Sequence, residues 1–414
     1  MRATPRTILP SDRPAPVYAV WELTLRCDHA CSHCGSRAAV ARPDELTFDE
    51  ILDTAAQLIR LGTREVTLIG GEAYLHPNLA DVVRFLSTGG IRVTMQTGGR
   101  GFTLAMAKEL KAAGMSAIGV SVDGPPDAHN TLRNAPGSQQ AALQALDNAR
   151  QAGLIITANS QVNELNAGLL KETAAVLKEH GVQIWRCQMT VPMGRAADRP
   201  EWILRPWRML QVIDTLAEIQ VHYAEQANAA GQKSNEMFNV LISNNLGYYG
   251  PHEVLLRSNP GGNARWWQGC QAGTFTLGIE SDGTIKGCPS LPTAPYVGGN
   301  VRDLSIEEIW ENAPELQFVR SRTTEELWGF CKTCEYAETC MAGCSFTTHC
   351  TLGKRGNNPF CYHRAHTLKQ QGKRETIVRV EKAAGNPYDF GRFEIREEAW
   401  VDPGEPGHRK RADP

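Results

Sequence analysis

Apolar and β-branched residues gather in six short runs in the first half of the chain, at 17–25, 65–70, 91–96, 117–122, 154–162 and 182–189. Their length and side-chain type predict strands. Between them the apolar spacing changes to that of a half-buried helix, at 48–61, 79–87, 104–113, 138–152 and 169–180, with a sixth helix at 206–230. Strand and helix alternating in this way predict a parallel sheet with helices outside it. Six βα units over 17–230 describe an α/β fold, a partial TIM-like barrel open on one side. Catalytic groups of βα barrels gather at the C-terminal ends of the strands, so the segments after each strand carry the candidate chemistry.

The pattern changes after that. Residues 231–260 read as a connector, and 261–368 is rich in cysteine and glycine. Short strands there flank the turn Ser281-Asp282-Gly283-Thr284, and one helical segment spans 305–312. So little periodic apolar sequence cannot build a core alone, and bound metal must help hold this region. Residues 1–16 form a polar N-terminal extension. The tail, 369–414, has mixed charge and ends in a basic stretch, with proline and glycine, that is expected to fray.

Composition narrows the class. At 414 residues, 42% hydrophobic and 21% charged, the chain is of the soluble globular type, long enough for roughly two or three domains. A net charge of −2 offers no electrostatic case for nucleic acid or an anionic membrane. No apolar run reaches the ~20 residues a membrane span needs, and the N-terminus lacks a signal-peptide core. Twelve cysteines without an export signal predict reduced thiols in a cytoplasm, serving as metal ligands rather than disulfides.

Cys27, Cys31 and Cys34 stand in the run Cys27-Asp28-His29-Ala30-Cys31-Ser32-His33-Cys34, directly after the first strand. Three thiolates in one loop can hold three corners of a cubane iron–sulfur cluster and leave the fourth iron without a protein ligand. Electron-transfer clusters ordinarily take four cysteines, so an open iron points to binding and activation of a small molecule. The alternative is a zinc site completed by His29 or His33.

This triplet, its place after strand one, and Gly70-Gly71-Glu72 after strand two resemble the radical S-adenosylmethionine (radical SAM) enzymes. The resemblance implies that the open iron chelates SAM, whose reductive cleavage gives a 5′-deoxyadenosyl radical that abstracts hydrogen from a C–H bond. It also implies SAM contacts. Glycines at 70 and 71 would let backbone approach the ligand, and Glu72 would accept a hydrogen bond from the SAM ammonium. Ser121 and Asp123 would lie near its ribose or carboxylate, and Arg133, in a segment with His129, Gly137 and Ser138, near its carboxylate. Ser138 reads equally well as a helix N-cap. Gln96 and Asn159 end strands and are candidate cavity residues, Asn159 a candidate SAM contact. Pro192-Met193-Gly194-Arg195-Ala196 resembles the segment near the adenine.

A second array, Cys331-x2-Cys334-x5-Cys340-x3-Cys344, has Cys361 after it and Cys270 and Gly283-x4-Cys288 before it. It resembles the SPASM domain, which binds two auxiliary [4Fe–4S] clusters. By that resemblance Cys331, Cys334, Cys340 and Cys361 hold the outer cluster, and Cys270, Cys288 and Cys344 supply three ligands of the inner one. Some members have an extra cysteine soon after the first; this chain has none between Cys270 and Cys288. The fourth inner iron is then open or held by another group, with Cys350 and Cys187 unassigned. A zinc ribbon is the alternative for C-x2-C pairs. Trp266 and Trp267 are candidates for a substrate path or for core packing.

The resemblance therefore implies three [4Fe–4S] clusters, SAM, and an electron donor such as flavodoxin or ferredoxin. Members with two auxiliary clusters mostly oxidise side chains of a ribosomally made peptide or a protein, by cross-linking or dehydrogenation. Only about sixteen residues precede the first strand, so a separate peptide-recognition protein, or direct binding of the peptide in the barrel, would be required. Two alternatives stand: a radical SAM oxidoreductase acting on a small molecule such as a tetrapyrrole, and a zinc-stabilised binding module without redox chemistry.

Overall fold

The structure, a computed structural model, describes residues 14–232, 237–258 and 262–401. All six expected strands form: β1 (Tyr18–Thr24), β2 (Glu65–Gly70), β3 (Arg92–Thr97), β4 (Ala117–Ser121), β5 (Ile155–Val162) and β6 (Ile184–Met189). They lie side by side in sequence order, all parallel. The connecting helices are α1 (Phe48–Arg60), α2 (Leu79–Thr88), α3 (Leu104–Ala112), α4 (Pro126–Arg133), α5 (Ser138–Gln151) and α6 (Leu170–Glu179), followed by α7 (Met209–Ala229). The start of α1 is fixed by a capping box, with Thr47 and Glu50 satisfying each other's backbone N–H groups. Ser138 is not a cap: it opens α5 and donates to Asn130 Oδ1, while Gly137 takes the cap position at φ 76°.

Cross-strand register separates the two faces of the sheet. Trp21, Leu68, Met95, Ile118 and Ile156 form one continuous row, each opposite the next, buried under the helices. Val120, Ala158, Trp185 and Val240 form a second buried row. Because side chains alternate along a strand, the residues between these rows face the concave side. There Gln96, Gly119 and Thr157 align, then Ser121, Asn159 and Arg186, then Gln161 and Gln188. The concave face is therefore polar.

The sheet continues past both expected edges. β7 (Asn239–Ile242) pairs parallel with β6, inside the stretch expected to be a connector. All four of its residues are buried, so no alternation marked it. On the other side β8 (Thr276–Ile279) pairs parallel with β1, and β9 (Thr284–Lys286) and β10 (Val297–Asn300) follow antiparallel. The cysteine-rich region thus shares hydrogen bonds with the barrel sheet. It also carries more helix than expected: Ile306–Asn312 is joined by Pro314–Ser321, Ser345–Leu352 and Tyr362–Gln370.

The described part of the tail, to residue 401, forms regular structure. β11 (Lys373–Glu381) and β12 (Arg392–Ala399) form an antiparallel hairpin; the part expected to fray, 402–414, lies outside the described residues. The hairpin loop is anchored at Tyr388, which is buried, donates to Glu22 on β1 and lies under the Lys286 ammonium at 4.2 Å. Glu22, Arg42, Glu280 and Lys286 form a buried chain of alternating charge, with Arg42 at 3.2 Å from Glu22 and 2.9 Å from Glu280, and Lys286 at 2.6 Å from Glu280. Each charge has an opposite neighbour, the condition for keeping ions out of water.

Candidate active site

The cysteine triplet lies in the loop that leaves β1. Backbone and arginine contacts, rather than the thiols, set its path. Cys27 N donates to Ala39 O (3.0 Å) and Ser32 N to Leu132 O (2.8 Å). Arg195 reaches in from the segment after β6: its backbone N donates to Cys34 O (2.9 Å), its Nε to Cys31 O (2.6 Å) and its Nη2 to Ala38 O (3.1 Å). Gly194 has φ 58° and no room for a Cβ against Cys34 O and Gly35 O. The Pro192–Ala196 segment therefore braces the triplet loop, a role the sequence did not disclose. Arg37 extends the brace to the tail, pairing with Asp198 (2.7 Å) and Asp389 (2.8 Å).

The three sulfurs make only long contacts, Cys34 Sγ with Ser36 Oγ at 3.5 Å. Cys27 Sγ accepts only a long bond from His29 N (3.4 Å), and Cys31 Sγ one from Arg133 Nη1 (3.8 Å). Burial pushes the Cys27 thiol up to about 12, with Glu72, Cys31 and Cys34 adding like-charge repulsion. Burial likewise raises Cys31 to about 11, against the pull of Arg133. Thiolates crowded and buried in this way are stable only around a cation that replaces their protons. That donor set fits an iron–sulfur cluster with three protein ligands. It fits a zinc site completed by His33 poorly, since His33 Nδ1 bonds Leu132 O (3.0 Å) and its Nε2 faces Asp123 at 3.6 Å. His29 is different: both ring nitrogens are buried without a partner.

Of the expected SAM contacts, Glu72 is brought to the triplet. Its carboxylate, Asp28 and the Cys27 sulfur lie within 4.8 Å of one another. Thr97 Oγ1 donates to it at 2.5 Å and Gly98 N at 2.6 Å, so β3 aims it. Burial lifts its pKa to about 7 despite these two donors, the condition of a carboxylate still short of a cation. Gly70 and Gly71 are also required by packing. A Cβ at Gly70 would strike Thr24 O, and one at Gly71 would strike Arg26 O and Cys27 Cβ. They let the triplet loop lie against β2.

Asp123 and Arg133 form an ion pair. Arg133 Nη2 lies 2.6 Å from Asp123 Oδ2 and its Nε donates to the same oxygen at 2.8 Å, while Gln161 N donates to Asp123 Oδ1 (2.9 Å). The two expected to face SAM face each other, because an unpaired charge this deep would be costly. Burial alone would raise Asp123, but the charge of Arg133, with His33 and His129, holds it down at about 2. Ser121 and Asn159 stand opposite each other on the concave face, and Asn159 Nδ2 donates to Gln96 Oε1 across Gly119, whose missing side chain makes the room.

The second array resolves into two groups. Cys331, Cys334, Cys340 and Cys361 line one pocket together with Tyr248 and Tyr336. Burial raises Cys361 to about 12, and Cys331 and Cys334 add to it. Cys270, Cys288 and Cys344 form the other group: burial raises Cys344 to about 12, with Cys270 and Cys288 as charged neighbours. Four thiols around one pocket, and three more within charge–charge range of one another, suit two clusters better than one zinc ribbon. Cys187 packs on the helix side of β6 in the hydrophobic core. Cys350 is fully buried on the helix Ser345–Leu352, near enough to Cys344 to be affected by its charge. Trp267 is buried and donates to Cys340 O (3.1 Å), whereas Trp266 is exposed.

Comparison with known proteins decides the family. The Radical SAM superfamily profile matches residues 21–162, and the SPASM profile, described as an iron–sulfur cluster-binding domain, matches 270–335. The chain is a radical SAM enzyme with a SPASM domain. It carries iron–sulfur and SAM chemistry, which removes the zinc-stabilised binding module from consideration. An AdoMet-dependent heme synthase of Methanosarcina barkeri is 28% identical to this radical SAM chain, over 84% of it and 97% of the relative. A mycofactocin maturase MftC of Mycobacterium ulcerans is also 28% identical, over 84% of this chain and 88% of the relative. Among solved structures, anSMEcpe with bound AdoMet superposes with a TM-score of 0.64 at 17% identity, over 85% of this chain and 95% of the other. SuiB of Streptococcus suis superposes at 0.60 and 14% identity, over 84% and 76%. These two likenesses show the radical SAM/SPASM fold. No helix of the described residues is long and apolar enough to cross a membrane.

Proposed function

We propose that this radical SAM/SPASM enzyme oxidises a side chain of a ribosomally made peptide or a protein, forming a cross-link or a dehydrogenated residue, in the cytoplasm. Cys27, Cys31 and Cys34 hold the SAM-binding cluster; Cys331, Cys334, Cys340 and Cys361 the outer auxiliary cluster; and Cys270, Cys288 and Cys344 three corners of the inner one. Three clusters follow. Bound at the triplet, the cluster and SAM supply the adenosyl radical that abstracts hydrogen. The chain's own residues brace that loop through Arg195, aim Glu72 through Thr97 and Gly98, and present the concave face to substrate.

The observation that supports a peptide is the make-up of that face. Gln96, Asn159, Gln161 and Gln188 stand on it, Asn159 in register with Ser121. Side-chain amides offer donor and acceptor together, as a peptide backbone requires. A tetrapyrrole with several carboxylates would instead call for several cations, and Arg186 is the one cation in these rows. The name MftC points the same way, and SuiB has been crystallised with a precursor peptide. The second reading, a tetrapyrrole, is favoured by the relatives named heme synthase and Fe-coproporphyrin III synthase. The two separate on incubating anaerobically reconstituted enzyme, SAM and dithionite with either any short precursor peptide found encoded beside the gene or iron coproporphyrin III. Substrate-dependent 5′-deoxyadenosine and a mass loss of two hydrogens in the peptide support the first. Decarboxylation of the porphyrin, with the peptide untouched, overturns it.

A further prediction concerns Glu72. A charge-assisted hydrogen bond contributes ~1.5–3 kcal/mol, so Glu72→Ala is expected to weaken SAM binding roughly ten- to hundredfold with iron content unchanged. Equilibrium dialysis of SAM checks it; parental affinity in an iron-replete variant would leave Glu72 only its bonds to Thr97 and Gly98.

A further inference from the structure

Arg322 follows the helix Pro314–Ser321 and lies within charge–charge range of both Cys270 of the inner group and Cys340 of the outer one. Its side chain is only 4% exposed. Nη2 donates to Met341 O at 2.7 Å, which fixes the guanidinium beside the outer group. Nε and Nη1 are buried and make no hydrogen bond, and the nearest carboxylate, Glu326, is 3.8 Å from Nε. Burial pulls this guanidinium below its usual range. A buried arginine with two orphan nitrogens is a costly arrangement in a folded protein. Arg355, whose charge reaches Arg322, donates to Tyr296 Oη (3.1 Å), and Tyr296 in turn bonds His349 (2.9 Å).

Sulfide and thiolate sulfur are the acceptors this geometry lacks. We propose that Arg322 is a positioning and potential-setting residue that donates Nε–H and Nη1–H to sulfur atoms of the inner auxiliary cluster, so that this cluster accepts an electron more readily than it otherwise would. The inference rests on the cluster assignment above. Reduction adds one negative charge to a cluster, and cluster potentials rise with hydrogen bonds to sulfur and with nearby positive charge. Arg322 offers both, in a buried site where charge is weakly screened. Its contact beside Cys340 places the same cation against the outer cluster, so that cluster gains the charge without the two hydrogen bonds.

The test is a redox titration of the reconstituted full-length protein, followed by electron paramagnetic resonance, with Cys270→Ser used to identify the inner signal. Arg322→Met, similar in shape and uncharged, is expected to keep its iron. At a fixed potential its inner cluster should show about a tenfold lower ratio of reduced to oxidised, ~59 mV for a one-electron couple. The outer signal should move less, and the triplet's signal not at all. Arg322→Lys, which keeps the charge but not the forked donors, should fall between. An inner potential unchanged in an iron-replete Met variant overturns the proposal. Should the Met variant lose iron, an unchanged inner potential in the Lys variant overturns the hydrogen-bonding role. A parent protein with only about four iron per chain would instead sink the cluster assignment itself.

Discussion

The variant with Cys27, Cys31 and Cys34 all changed to Ala is expected to form no 5′-deoxyadenosine above background while retaining about eight of ~12 iron per chain, at four per cubane. The structure explains why so severe a change should leave the fold standing. The loop is held by backbone groups: Arg195 takes Cys31 O, Cys34 O and Ala38 O, and Cys27 N reaches Ala39 O. None of these bonds uses a sulfur. The second array lies in the C-terminal region, its thiols in two groups of their own, and should assemble as before. Anaerobic reconstitution, iron and sulfide analysis, and chromatography of the nucleoside with dithionite as reductant read both quantities. Parental 5′-deoxyadenosine formation would move the SAM-cleaving site elsewhere. Loss of all iron would show that the auxiliary groups depend on the triplet.

The barrel was legible because its strands obey simple rules. Each expected strand bears alternating or continuous apolar residues, and each helix begins near a cap or a turn. The triplet and the second array were legible because their spacing is itself the chemistry. What escaped the sequence are pairings between distant residues. Nothing near Glu72 announces Thr97 and Gly98, which arrive from the end of the next strand. Nor does the sequence show that Thr24 O and Arg26 O occupy the space a Cβ at Gly70 or Gly71 would fill. The tail hairpin escaped for another reason: β11 and β12 carry charged residues on both faces, with ion pairs such as Lys373–Glu397 across the ladder, so no apolar alternation marks them. Its loop anchor, Tyr388, meets partners on β1 and β9.

Arg133→Met should be the most destabilising single change at the site, by ~3–5 kcal/mol, the usual consequence of stripping one partner from a buried ion pair. Asp123 would be left fully buried, with Gln161 N and the long His33 contact as its remaining partners. Neither neighbouring imidazole is suited to replace the lost cation. Burial holds His33 at about 4 and His129 at about 3, with Arg133 itself lowering both. The carboxyl would then take up a proton, since desolvation, no longer opposed by Arg133, raises its pKa. The double variant Arg133→Met with Asp123→Asn should recover most of the loss, because the cost lies in the bare charge and not in the missing contact. Urea unfolding of the anaerobic protein, followed by tryptophan fluorescence, measures both midpoints. A double variant no more stable than Arg133→Met alone would mean that Arg133 stabilises mainly through Cys31 Sγ, its other contact, at 3.8 Å. SAM affinity measured on the stabilised double variant then separates this structural work from any direct contact with the cofactor: parental affinity there would confine Arg133 to its pairing with Asp123 and Cys31.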